Sequence, residues 1–271
     1  MSLNGPQAAE GRLYSSVTLR RRPVAPFFIL AFAITWVVWV PRALGVGWAV
    51  ELGAFWTYGP ALAAVVAAFI HGGWEELRRL GRRLTDWRIG VRWYLFILLF
   101  PLVLALIEGA VTTALAGESW SDNLPTVFNE PIAASVLLLI VLTLTDGLGE
   151  ELGWRGFALG HMIKRHSALA MSVVLGLLWA AWHLPLFWTA EASLEGSAVW
   201  VLFARLPAAA VIYTWLFQHT RGSVVAAALF HGALNLFAQT PVQVGEQLTA
   251  TLVSTGLRGR SRPRTGSGRS P

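Results

Sequence analysis

The chain has 271 residues, 55% of them hydrophobic and only 13% charged, with a mean hydropathy of +0.56; soluble domains carry about 25% charged residues. The absence of cysteine excludes disulfides, thiolate catalysis and cysteine-ligated zinc. The net charge of +6 comes almost wholly from arginine in ends and loops, which points to membrane topology and lipid headgroups. No soluble basic module is present, so nucleic acid is not an expected partner.

Residues 1–23 are polar and basic, ending in Arg20-Arg21-Arg22-Pro23. Apolar stretches of roughly 20 residues mark membrane spans. The first is predicted at 24–41 and the second at 52–70, where it contains Gly59-Pro60. No small-residue cleavage site follows the first, so no cleavable signal peptide is expected. A basic loop over 71–92 carries Arg78, Arg79, Arg82, Arg83, Arg88 and Arg92. Its Leu77, Leu80 and Leu84 have helical spacing, and part of it is expected to lie along the surface.

The third span is predicted at 93–116 and a longer apolar segment at 132–159. Further spans are expected at 168–189, 197–217 and 223–240. An eighth, poorer span at 241–257 would return the basic tail 258–271, which reads as disordered, to the cytoplasm. The expected fold is an all-α, polytopic transmembrane helical bundle of about seven or eight spans, with one membrane domain over 24–257. Basic and acidic loops alternate along the chain. The positive-inside rule makes the N-terminus, 71–92, 160–167 and 218–222 cytoplasmic, and 42–51, 117–131 and 190–197 external.

Against this background the run from Asp146 to Phe157 stands out, because it holds Glu150, Glu151 and Arg155. Ionisable groups at bilayer depth are costly and mark functional sites by default. His183 and the pair His231 and Asn235 lie in later apolar segments. Counted from their cytoplasmic ends, Glu150, His183 and His231 all fall on the order of 13–22 Å deep in continuous helices. Glu151 and Arg155 are spaced i,i+4 with the acid first, so a structural ion pair is expected. Glu150 projects about 100° away and stays available for chemistry.

A division of labour follows. Glu150 can take a proton from water, and His183 can hold that water or shuttle the proton. His231 and Asn235, again i,i+4, can donate to a developing oxyanion. The rival is a zinc ion held by Glu150, His183 and His231, with an open position for water. No His-Glu-x-x-His run is present, and the residues leave metal-free and metal-bound water both open.

These residues resemble the three motifs of the CAAX protease and bacteriocin-processing (CPBP, or Abi) family of intramembrane proteases. They are Glu-Glu-x-x-x-Arg at Glu150 to Arg155, an aromatic-x-x-x-His at Trp179 to His183, and His-x-x-x-Asn at His231 to Asn235. The second motif departs from the family pattern, with tryptophan in place of phenylalanine at Trp179. The resemblance covers about residues 140–240. It implies an α-helical bundle with a cytoplasmic opening, and endopeptidase activity on peptides near the membrane. It assigns water activation to Glu150 and His183, and oxyanion binding to His231 and Asn235. The implied partners are the lipid bilayer and a membrane-associated peptide or protein substrate, lipidated in the eukaryotic branch. The implied location is a bacterial plasma membrane with the N-terminus cytoplasmic. A non-enzymatic bacteriocin-immunity or scaffold protein of the same fold is the alternative. A transporter is disfavoured by the lack of internal repeats.

Overall fold

Backbone groups buried in lipid have no water to bond, so each apolar run must satisfy its own hydrogen bonds as a helix. The computed structural model of the chain describes residues 23–51, 57–116, 119–189 and 198–238, and these contain helices and no strand. The helices are α1 (Val24–Ala43), a short α2 (Gly47–Glu51), α3 (Gly59–Arg82) and α4 (Val91–Ala116). They continue as α5 (Ile132–Met162), α6 (Ala168–Trp182), α7 (Val199–His219) and α8 (Val224–Phe237). The polar segment 1–22, the eighth span 241–257 and the tail 258–271 lie outside the described residues.

Each of the seven apolar segments read from the sequence forms a helix, with shifted ends. Of these, α1, α4, α5, α6 with its following turn, and α7 are long and apolar enough to cross a membrane. The second begins at Gly59-Pro60, where proline fits a first helical turn that needs no N–H donor. Helix then runs through Arg82, well into the stretch expected to be a loop. The change comes at Gly73, whose φ of 58° and ψ of −147° break the apolar half from the basic half. Past that kink Arg79 pairs with Glu75 and Glu76 on one exposed helical face.

The bundle keeps its site charges inside and shows apolar side chains outside. Leu137, Ile107, Ile29 and Leu169 are exposed, whereas Glu150, Glu151, Arg155 and His231 are buried. Helices α1 and α3 pack along each other, as do α6 and α7, and α8 lies against α4 and α5. Serines set the starts of α6 and α8: Ser167 Oγ accepts from Ala170 N at 3.2 Å and Ser223 Oγ from Ala226 N at 3.0 Å. Each cap contributes about 1 kcal/mol. Helix α6 stops at His183, because Pro185 cannot continue it, and a 3-10 turn follows over Leu184–Trp188.

The α5–α8 contact positions the polar groups, and glycine makes it close. A Cβ on Gly147 would stand 2.4 Å from the Ala228 carbonyl oxygen, and one on Gly232 would stand 2.5 Å from Thr143 Oγ1. Only hydrogen fits at either place, so the two backbones approach closely enough for Glu150 and Glu151 to meet His231.

Candidate active site

Helix α5 is not a regular α-helix. Its α-helical Ile132–Leu142 passes into a π-helical stretch, Thr143–Gly147, then one α turn, Leu148–Glu151, then a second π stretch, Leu152–Leu159. The local sequence explains the loosening. Thr143 Oγ1 donates to the Leu139 carbonyl at 2.7 Å and Thr145 Oγ1 to that of Val141 at 2.9 Å, a back-bonding that disturbs helices. Such π segments concentrate at functional sites. Here they bracket the turn that presents Glu150 and Glu151.

Glu151 and Arg155 form the predicted ion pair. Arg155 Nη1 donates to both Glu151 oxygens, at 2.7 and 2.9 Å, and both side chains are wholly buried. The guanidinium lies against the rings of Trp179, 4.6 Å away, and Tyr213, 4.0 Å away. Cation–π contacts of this kind are worth about 2 kcal/mol when desolvated. Glu151 has a second task that its spacing to Arg155 does not reveal. Its Oε1 accepts from His231 Nδ1 at 3.0 Å. A carboxylate at Nδ1 makes that nitrogen the donor and turns Nε2 towards Glu150, whose Oε1 is 3.9 Å away.

Glu150 is held by indoles. Its Oε2 accepts from Trp179 Nε1 at 2.5 Å and from Trp154 Nε1 at 3.2 Å. One carboxylate oxygen is therefore occupied, and the other faces His231. The tryptophan at the motif's aromatic position does more than pack. Its N–H, which phenylalanine lacks, reaches the acid on a neighbouring helix. Its carbonyl also accepts from His183 Nδ1 at 2.9 Å, which leaves His183 Nε2 as a free lone pair. His183 is half-buried, with its ring among those of Trp182, Trp179 and Trp39.

Asn235 lies one turn beyond His231 on α8 and is exposed. Its Nδ2 donates to Asp146 Oδ2 at 3.1 Å. An amide nitrogen carries two hydrogens, so this bond orients Asn235 and leaves one donor free. Asp146 is four residues before Glu150, and Trp154 is four after it. Both were visible as i,i+4 neighbours of the key acid, yet sequence reasoning gave neither a role. Tyr213, on α7, carries no local signal.

The candidate zinc ligands were Glu150, His183 and His231. Glu150 and His231 face each other, while His183 joins the group through Trp179. Among the described residues, no three His, Asp or Glu side chains converge as a metal site requires. No chemical step is therefore routed through a metal here.

Residues 132–237 match the family model of type II CAAX prenyl endopeptidases, Rce1-like. A 107-residue stretch is 32% identical to CAAX prenyl protease 2 of Methanococcus maripaludis, covering 37% of this chain and 38% of that protein. The match thus spans under two fifths of the curated relative's length. Apolar helices of spanning length and this likeness together make the protein an integral membrane protein. The stretch that carries Glu150, His183, His231 and Asn235 is thus similar to the Rce1-like CAAX prenyl endopeptidases.

Proposed function

We propose that the chain is an intramembrane endopeptidase that cleaves a membrane-associated, C-terminally lipidated peptide with water activated by Glu150. The observation that carries this is the state of the Glu150 carboxylate: Oε2 is fixed by the indoles of Trp154 and Trp179, and Oε1 is turned to His231. A fixed carboxylate oxygen beside imidazoles, walled from lipid by aromatic rings, suits a general base. Water gives its proton to Glu150 Oε1 while its oxygen bonds to the scissile carbonyl carbon, and the lone pair of His183 Nε2 holds the water's second hydrogen. The carbonyl oxygen becomes an oxyanion. The free amide hydrogen of Asn235 meets it, as does His231 Nε2 when that ring carries its second proton. The C–N bond then breaks, and the leaving amine takes the proton back from Glu150.

The lipidated substrate is inferred from the family named above, since prenylated C-terminal peptides bear the amide bond at the membrane surface. The location proposed is a bacterial plasma membrane, which the resemblance suggests, with the N-terminus cytoplasmic, from the distribution of arginine among the loops. The test is cleavage of a farnesylated C-a-a-X peptide by protein reconstituted in vesicles. Glu150→Gln keeps the shape and removes the base, so turnover is expected to fall by roughly 10²–10⁴-fold with the fold retained. Unchanged turnover in that variant would overturn the assignment. Activity is expected to survive exhaustive chelation; loss that zinc restores would replace the carboxylate mechanism with a metal-bound water.

A further inference from the structure

The π stretch ahead of the Glu150 turn passes over one backbone carbonyl. In a regular α-helix the Leu148 amide would bond the Leu144 carbonyl, four residues back. Here that amide donates to the carbonyls of Thr143 and Thr145 instead. A spanning helix has no bulk water to satisfy a carbonyl left over in this way, so the protein must supply the partner. The partner comes from outside the helix: the Tyr58 hydroxyl donates to the Leu144 carbonyl. Tyr58 has no part in the mechanism above.

The corner that carries Tyr58 is pressed against the same turn. Tyr58 directly precedes α3. On one side of it, a Cβ on Gly149 would stand 3.0 Å from the Thr57 carbonyl oxygen. On the other, one on Gly153 would stand 2.6 Å from that of Pro60. Behind the corner, one on Gly59 would stand 1.9 Å from Thr35 Oγ1 on α1. Helices α5 and α1 thus fix the Tyr58 backbone between them, and the hydroxyl is delivered to one place. The two α5 glycines flank Glu150 and Glu151 in the chain.

The stretch from Thr143 to Arg155 is held at both ends. Thr143 lies against Gly232 of α8, and Arg155 lies against Trp179 and Tyr213. A slip of one residue turns a helical side chain by about 100°. With the ends held, such a slip falls on the residues between them. It would carry the Glu150 carboxylate off the Trp179 indole that now fixes it.

We propose that Tyr58 is a positioning residue: its hydroxyl holds the π step of α5 and so keeps Glu150 turned to His231. This rests on the endopeptidase reading and adds to it the group that aims the base.

The experiment pairs turnover of the farnesylated peptide with backbone hydrogen exchange over residues 143–151, both on the full chain in vesicles. Tyr58→Phe removes the donor and keeps the ring. Its kcat should fall roughly tenfold at unchanged KM, the worth of one hydrogen bond, and exchange over 143–151 should quicken. Replacing Tyr58 with 4-aminophenylalanine returns a donor to the same place and should restore both. Replacing it with 4-methoxyphenylalanine, which has the oxygen without the hydrogen, should not. Should Tyr58→Phe fail to fold, those two replacements decide in its stead. Wild-type kcat in Tyr58→Phe overturns the positioning role and leaves the endopeptidase standing, even where exchange quickens. A loss confined to KM does the same, since it would put Tyr58 on the substrate. Failure of 4-aminophenylalanine to restore turnover also overturns the proposal. A wild type that cuts nothing, while Tyr58→Phe still quickens exchange, overturns the endopeptidase and leaves the hold of Tyr58 on α5 standing.

Discussion

Removing Arg155 alone and removing it together with the charge on Glu151 should have different consequences. In Arg155→Met the Glu151 carboxylate, wholly buried, loses hydrogen bonds of 2.7 and 2.9 Å and keeps only that from His231. Breaking a buried pair by deleting one partner costs about 3–5 kcal/mol, because the survivor is charged and has no water to turn to. The guanidinium also leaves its contacts with Trp179 and Tyr213, although methionine refills part of that space. In the double variant Glu151→Gln with Arg155→Met no buried charge remains, and the glutamine oxygen can still accept from His231 Nδ1. Its destabilisation should be smaller than that of Arg155→Met, with a coupling of about 2 kcal/mol between the sites. The assay is equilibrium unfolding of the purified protein in mixed micelles for wild type, both single variants and the double variant. Additive single effects would refute the reasoning, since they would mean that neither group senses the other's charge.

Other outcomes follow from the same geometry. Trp179→Phe restores the family's aromatic residue but leaves Glu150 Oε2 with the Trp154 bond alone; kcat should fall about tenfold at unchanged KM, as measured on the reconstituted enzyme. Gly147→Val places a Cβ that would lie 2.4 Å from the Ala228 oxygen, so α5 and α8 must separate, with both turnover and the unfolding midpoint dropping. Asp146→Ala frees Asn235 without removing it and should lower kcat less than Asn235→Ala does. Equal losses in that pair would mean that Asp146 acts on the substrate itself.

The helices were legible because lipid imposes one solution on every apolar run, and composition reveals the runs. Their ends were less so. Gly73 lets the second segment turn and continue as a basic helix, and nothing in a hydropathy profile separates that from a loop. The Glu151–Arg155 pair was readable, since i,i+4 spacing is a local property. The same spacing held Trp154 against Glu150, but an aromatic side chain at that interval usually just packs; Asp146 meets Asn235 on another helix. The bonds from Trp179 to Glu150 and from Glu151 to His231 join different helices, and the second depends on the close α5–α8 approach at Gly147 and Gly232. The π-helical stretches of α5 escaped altogether, because a regular 3.6-residue period was assumed throughout.

That helix has a mechanical consequence. None of the residues Ile132–Leu142 is buried, whereas every residue from Gly153 to Leu159 is. One rod is thus clamped in protein at one end and bathed in hydrocarbon at the other. A thicker or thinner bilayer loads the free arm only. The strain falls on the π-helical turn between arm and clamp, which makes Thr143–Gly147 the fulcrum of a lever whose handle is held by the lipids.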